Sequence, residues 1–281
     1  MRFGTIDGRL VLVRGDVARD AAAVSGGAWS ADPLGVLERW PEFRAWAADP
    51  GRLDWERGRP FTRPVLGPPV PRPRQVFAVA LNYRPHAAEG GYEPPSDPLI
   101  FTKFPACIAG PVTEVRLPPG KVDWEVELVA VVGTGGHQIP RERAWDAIAG
   151  LTVGQDLSER SLQMRGTPPQ FSLAKSFPGF GPTGPVALTA DDLADPDDLA
   201  LECSVDGEVV QSDRTSNMIF PVSDLVAYIS AACPLLPGDL IFTGTPAGVG
   251  NRRNPPRYLQ EGQELISRID GIGEIRQRFA S

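Results

Sequence analysis

The chain has 281 residues, of which 42% are hydrophobic and 22% are charged, and its formal net charge is −7. These values are typical of a globular protein, and the negative charge argues against a general nucleic-acid surface. The first residues lack the apolar core of a signal peptide and no segment approaches the ~18 apolar residues of a membrane span, so we predict a cytoplasmic protein without a membrane partner.

The first part of the chain predicts a hairpin followed by a helix. Two strand-like runs flank Asp7-Gly8, which is a strong signal for a tight hairpin turn. A helix is predicted over residues 33–48, with Asp32 as its N-cap and Pro33 as its first residue. Apolar residues recur there at helical spacing, although Pro41 interrupts the run.

Residues 58–74 contain six prolines and predict an extended connector. We therefore predict a small N-terminal domain over residues 1–70 and a second domain over residues 71–281. In the second domain, strands are predicted at 75–81, 125–133, 199–205, 208–211 and 239–243 and around Gly262 and Asp270-Gly271, and helices at 141–151 and 222–232. This pattern favours a β-rich α+β fold over a βαβ succession, and it leaves the topology open.

Carboxylates form the first candidate site. Glu125 and Glu127 flank one residue of a predicted strand, so both side chains point to the same face. The run after them is apolar on both faces, which indicates a central strand, and buried carboxylates there need a partner. Asp156 follows another apolar run. A hard divalent cation such as Mg²⁺ or Mn²⁺ is the simplest partner for three such oxygens, while a solvated polar face and a helix cap are the alternatives.

The second candidate is the pair His86 and Glu89, which are neighbours if their segment is helical. A carboxylate beside an imidazole holds its tautomer and raises its basicity, so the pair could take a proton from water. A solvated surface turn is the alternative for this pair. One of only three lysines, Lys175, lies among apolar residues and could neutralise a carboxylate or a developing enolate, whereas Lys103 stays ambiguous.

Three further residues could lie near a ligand. Arg160 and Gln163 come four and seven residues after Asp156, so they would share one face of a helix that begins near Ser158. The glycine-rich run that contains Thr245 lacks the ending of a phosphate loop. It is interpreted as a turn that presents Thr245 and backbone amides to a ligand.

The order of these motifs resembles the fumarylacetoacetate hydrolase family. The motifs are Asn82-Tyr83 with His86 and Glu89, Glu125-Val126-Glu127-Leu128, the run 154–160, the run 174–177 and the run 237–250. The resemblance covers about residues 75–275. It implies a mixed β-sandwich roll, preceded by a small N-terminal α+β domain, and usually a homodimer.

The resemblance also assigns roles. It implies Mg²⁺ or Mn²⁺ at Glu125, Glu127 and Asp156, and water activation by His86 and Glu89. It implies charge stabilisation by Lys175. It further implies substrate contacts from Arg160, Gln163 and Thr245.

From these features we expect a metal-dependent hydrolase that cleaves a carbon–carbon bond in a β-diketo acid, such as an acylpyruvate or fumarylpyruvate. Decarboxylation of oxaloacetate, or hydration or isomerisation of dienoic acids in aromatic catabolism, is the nearest alternative, since each uses the same chelated enolate. A protein of another class, a non-catalytic binder of metabolites, is the third hypothesis. Turnover of any 2-oxo acid would exclude it.

Overall fold

The computed structural model describes residues 1–49 and 51–281. The strands are β1 Arg2–Ile6, β2 Arg9–Arg14, β3 Val17–Asp20, β4 Arg59–Pro60, β5 Leu66–Gly67, β6 Val76–Ala80, β7 Leu99–Thr102, β8 Ile108–Ala109, β9 Val112–Arg116, β10 Val122–Asp123, β11 Val126–Val132, β12 Ile148–Gln155, β13 Ser158–Glu159, β14 Gly181–Leu188, β15 Ala200–Val205, β16 Glu208–Arg214, β17 Leu240–Phe242, β18 Glu264–Ile269 and β19 Gly273–Ala280. The helices are α1 Ala21–Val24, α2 Pro33–Leu37, α3 Trp40–Ala47, α4 Arg84–Glu89, α5 Ala144–Ala147, α6 Arg160–Gln163 and α7 Val222–Ala232.

Two sheets dominate the fold. The larger one has the order β4-β3-β2-β1-β14-β12-β11-β17-β6-β7, and the smaller one has the order β16-β15-β18-β19-β9. Most neighbours are antiparallel, but β17 pairs in parallel with β6, and β19 with β9. Each of the two sheets therefore contains both parallel and antiparallel pairs, in agreement with the predicted β-rich α+β roll.

Strand β11 lies at the centre of the molecule. Val126 and Leu128 pack into the core between the two sheets, together with residues of β15 and β18. Val129 and Val131 point the other way and pack in a second cluster with the aromatic residues of α3. Because successive side chains of a strand alternate between faces, both faces of β11 are covered, which confirms that it is a central strand.

The predicted N-terminal hairpin is confirmed as β1 and β2. Asp7 and Gly8 both adopt positive φ, as a two-residue hairpin turn needs. Strand β1 also pairs with β14, so the N-terminal strands extend the large sheet of the molecule. The domain boundary near residue 70 stays a prediction.

The predicted helix over 33–48 is two helices. Asp32 caps α2 as expected, because its side chain accepts a hydrogen bond from the backbone N–H of Leu34 at 3.1 Å. The chain then leaves the helical conformation at Arg39 and starts α3 at Trp40. Pro41 explains the break, since proline lacks an N–H donor and is accommodated only in the first turn of a helix.

The predicted helix over 141–151 is wrong in its second half. A 3-10 turn and the four-residue α5 end at Ala147, and Ile148 begins β12. This strand pairs with β11 on one side and with β14 on the other. Pairing on both edges and burial of every residue of β12 outweigh local helical propensity. The helix predicted over 222–232 is confirmed by α7. Within the described residues, no helix has the length and apolarity that a membrane crossing requires.

Candidate active site

Antiparallel pairing brings the three acidic residues together. Glu125 directly precedes β11 and Asp156 directly follows β12, and the backbone N–H of Asp156 donates to the carbonyl of Glu125 at 2.9 Å. The start of one strand therefore lies beside the end of the other. One carboxylate oxygen each from Glu125, Glu127 and Asp156 lies within 4.8 Å of the others, and all three side chains are buried.

This cluster fits a divalent cation. Burial raises the pKa of Glu127 well above its ordinary value, and the neighbouring charges of Asp156 and Glu125 raise it further. Glu127 is 1% exposed, and its hydrogen bond from the protein comes from the backbone N–H of Gly244, at 2.8 Å. A set of oxygen ligands with unbalanced negative charge is the kind of site that Mg²⁺ and Mn²⁺ prefer. Glu125, Glu127 and Asp156 would hold the ion.

Two buried lysines compensate part of this charge. The ammonium of Lys175 donates to Glu125 at 2.7 Å and to Asp156 at 2.5 Å. Lys103 donates to the other oxygen of Asp156 at 2.7 Å, to the carbonyl of Phe180 at 3.1 Å and to the carbonyl of Lys175. Lys103 thus uses all three of its N–H groups within the protein and fixes both Asp156 and the backbone that carries Lys175.

An arginine also forms ion pairs at the carboxylate cluster. Arg160, the first residue of α6, contacts Asp123 and Glu125 at 2.8 Å each. Burial alone would raise the pKa of Glu125, but the charges of Lys175 and Arg160 outweigh it and lower the pKa to about 2. Glu125 is therefore ionised and fixed in one orientation. Arg160 also donates to the side-chain oxygen of Gln163 at 2.8 Å, so the two residues do share a face, as predicted.

The His–Glu pair lies on α4. Nδ1 of His86 lies 2.9 Å from Oε2 of Glu89. The other oxygen of Glu89 accepts from the backbone N–H of Gly248 at 3.0 Å. Burial raises the pKa of Glu89, but these hydrogen bonds more than offset it, and the net shift is downward. The carboxylate therefore accepts a proton of Nδ1, and Nε2 of His86, which has no hydrogen-bond partner among the described residues, can take one.

The glycine-rich run after β17 packs against the start of β11, beside the carboxylates. Gly244 adopts a φ of +95°, and a Cβ there would lie 2.8 Å from Cβ of Asn82, so the close approach to the segment between β6 and α4 depends on glycine. The hydroxyl of Thr245 donates to the carbonyl of Val126 at 2.9 Å and accepts from Gln211 at 2.8 Å. Thr245 is thereby held in place beside the carboxylates.

One cavity joins these groups. Its volume is about 240 Å³, and its wall includes His86, Glu125, Arg160, Lys175 and Thr245. Small-molecule sites commonly measure about 300–1,000 Å³, so this one suits a small organic acid. The remaining wall is mainly apolar, from residues such as Phe101 and Phe171.

The structure places every sequence-predicted site residue in or around this cavity. Gln163 lines the wall, Glu127 and Asp156 lie beneath it, and Glu89 stands behind His86. Sequence reasoning left Lys103 open and did not single out Asp123, which binds Arg160, or Arg252, which lines the cavity. Asp123 lies two residues before Glu125, and Arg252 lies two residues after the glycine-rich run. Closeness to a recognised motif was the only signal for these two residues, and it does not distinguish them from other neighbours of the motifs.

Comparison with known proteins identifies the family of the chain. Residues 75–280 match the family described as fumarylacetoacetate (FAA) hydrolase C-terminal. The human mitochondrial protein named oxaloacetate tautomerase FAHD2A is 46% identical over 209 residues, which cover 74% of this chain and 67% of that protein.

Solved structures resemble the whole chain. A protein of Mycobacterium smegmatis that carries the provisional name HpcE is 52% identical, and the match covers 100% of this chain and 99% of that one with a TM-score of 0.92. The maleylpyruvate hydrolase of Sphingobium sp. SYK-6, solved with manganese(II) and pyruvate, is 27% identical, with full coverage of both chains and a TM-score of 0.80. The family match, the fold and the ordered motifs lead to one conclusion: this chain belongs to the fumarylacetoacetate hydrolase family.

Proposed function

We propose that this protein is a divalent-metal-dependent enzyme that forms and reprotonates the enolate of a small 2-oxo acid. Keto–enol tautomerisation of an oxaloacetate-like substrate is its first candidate reaction. The observation that carries the proposal is the single cavity in which a free imidazole nitrogen, a buried ammonium and a carboxylate cluster face one another. The relative named for oxaloacetate tautomerase supports the choice of reaction.

Each residue of the site has a separate role in this proposed reaction. His86, held by Glu89, would take a proton from C3 of the keto form through Nε2 and deliver it to the C2 oxygen, which gives the enol; the reverse transfer gives back the keto form. Lys175 has two of its N–H groups on Glu125 and Asp156, and the third has no acceptor among the described residues. That N–H is available to the enolate oxygen. The bound cation would supply Lewis-acid stabilisation of the same oxygen and orientation of the 2-oxo acid group.

Hydrolysis of a β-diketo acid is the second candidate. It uses the same enolate as its leaving group, and the same imidazole would deprotonate a water instead of C3–H. The full-length likeness to a maleylpyruvate hydrolase favours it. We infer that the enzyme is a homodimer, on the strength of the family resemblance.

Product analysis by NMR separates the two reactions. The metal-free protein would be incubated with oxaloacetate and with acetylpyruvate, with and without Mn²⁺, and the enol content of oxaloacetate followed by ultraviolet absorbance. We expect Mn²⁺-dependent tautomerisation, slowed about 10²–10⁴-fold in His86→Ala. Acetate and pyruvate from acetylpyruvate would assign the hydrolase instead. Pyruvate and CO₂ from oxaloacetate above the metal-only background would assign a decarboxylase. No reaction with either substrate would overturn the proposal.

A further inference from the structure

Three cationic side chains line the cavity, and they differ in how they are paired. Arg160 is bound to Asp123 and Glu125, and Lys175 is bound to Glu125 and Asp156. Arg252 is the third. Within the described part of the chain, its guanidinium forms no ion pair and no side-chain hydrogen bond. A ligand that enters the cavity thus meets one arginine that has no carboxylate in direct contact among the described residues.

Arg252 is the exposed arginine of the cavity wall, and its position defines the mouth of the cavity. It is exposed, and its guanidinium carbon lies 5.7 Å from the ring centroid of Tyr92, which also lines the cavity. An aromatic face orients a guanidinium without neutralising it. Arg252 is also close enough for its charge to help lower the pKa of Glu89. The positive charge of Arg252 is therefore felt inside the site.

The turn that carries Arg252 is fixed from below. Residues Gly250–Arg252 form a 3-10 turn. The backbone N–H groups of Gly250 and Asn251 donate to the carboxylate of Asp123 at 2.7 and 2.9 Å. The same carboxylate receives Nε of Arg160 at 2.9 Å. One buried Asp123 thereby sets the position of the turn at the mouth relative to the arginine at the metal cluster.

We propose that Arg252 binds a second, distal carboxylate of the substrate and so selects dicarboxylic 2-oxo acids over monocarboxylic ones. This inference rests on the proposed function, because it places the 2-oxo acid end at Glu125, Glu127 and Asp156. A guanidinium is suited to this task, since it is always charged and its planar fork matches a carboxylate. The apolar wall between the two ends, which includes Phe101 and Phe171, accommodates the carbon chain.

The test compares two ligands that differ only at the distal group. In 3,3-dimethyloxaloacetate that group is a carboxylate, and in trimethylpyruvate it is a methyl group. Neither has a C3 proton, so neither can tautomerise, and NMR after the titration would verify that 3,3-dimethyloxaloacetate has not decarboxylated, so that the heat reports binding. Calorimetric titration of the Mn²⁺-loaded protein would give the affinity ratio of the two. We expect Arg252→Met to reduce this preference for the dicarboxylate by about tenfold, as for loss of a partly exposed charge-assisted contact. Arg252→Lys should retain part of it.

Arg165→Gln is the matched control, because Arg165 is exposed and close to the cavity wall in sequence but does not line the cavity. It removes the same charge from the protein and should leave the ratio unchanged. An unchanged ratio in Arg252→Met would overturn the inference, and so would an equal loss of affinity for both ligands. Normal dicarboxylate preference without any catalytic turnover would instead contradict the proposed function alone.

Discussion

The floor of the cavity and its mouth are both rich in charge, but they use it differently. At the floor, Lys103, Lys175 and Arg160 are bound to carboxylates and buried to at least nine-tenths. At the mouth, Arg252 is exposed and unpaired among the described residues, and the His86–Glu89 pair lies on a six-residue helix. Paired buried charges fix a geometry, because separating them in a low dielectric is costly. Unpaired charges at a mouth are free to interact with a ligand.

The largest effect should come from the floor, where Glu127 has no cation as a direct partner among the described side chains. Glu127→Gln keeps an acceptor for the N–H of Gly244 but removes one negative charge. We expect Mn²⁺ affinity to fall at least about hundredfold, measured by calorimetry. Glu142→Gln, an exposed change, is the control. Wild-type Mn²⁺ affinity in the Glu127 variant would exclude this cluster as the metal site.

The same variant should be more stable than the wild type when both are metal-free. The raised pKa of Glu127 means that its ionisation opposes folding, so the wild type loses stability as the pH rises above the ordinary value of 4.5. The advantage of Glu127→Gln should therefore vanish below that pH and grow above it. Denaturant unfolding at several pH values would show whether the sign is right.

The second effect is a loss of stability when the buried Lys103 is replaced. Lys103→Met removes the ammonium from Asp156 and from the carbonyls of Lys175 and Phe180. Because it removes one of the two ammonium partners of the buried Asp156 carboxylate and leaves both carbonyls without this donor, we expect a loss of about 3 kcal/mol in the free energy of unfolding, measured by denaturant titration. Lys121→Met changes an exposed lysine and should cost little. Equal stability of the two variants would show that Lys103 is not part of the charge balance.

A smaller effect is expected from the mouth. The pKa of Glu89 is lowered in the fold, so its contribution to stability is complete above the ordinary value of 4.5 and is lost as the pH falls through its lower folded pKa. Glu89→Gln should therefore cost about 1 kcal/mol near neutral pH and less in acid. Glu93→Gln, an exposed neighbour, provides the comparison. A cost that does not depend on pH would show that Glu89 acts through packing alone.

The smallest effect should follow from Tyr92→Leu. The ring of Tyr92 orients the guanidinium of Arg252 but carries no charge, and a cation–π contact at an exposed site contributes about 0.5–1 kcal/mol. The preference for 3,3-dimethyloxaloacetate over trimethylpyruvate should fall by about threefold. A loss as large as that of Arg252→Met would mean that the wall of the mouth, and not the charge of Arg252, selects the ligand.

By itself the sequence determined the local features and the chemistry of the floor. Asp7-Gly8 gives the hairpin and Pro33 starts a helix, since turn and cap preferences depend on neighbouring residues alone. The spacing of Glu125 and Glu127 gives two carboxylates on one face, because side chains alternate along a strand. With the order of the motifs, these residues were enough to indicate the family.

Tertiary structure decided what depends on distant partners. Residue 148 begins a strand because β11 and β14 lie on either side of it. Lys103 is a structural cation because Asp156, fifty-three residues away, lies 2.7 Å from it. Arg252 faces the cavity because Asp123 holds its turn. Long-range contacts of this kind leave no periodicity in the sequence, so only the folded chain shows that the cations of the floor are paired with carboxylates, whereas Arg252 at the mouth is unpaired among the described residues.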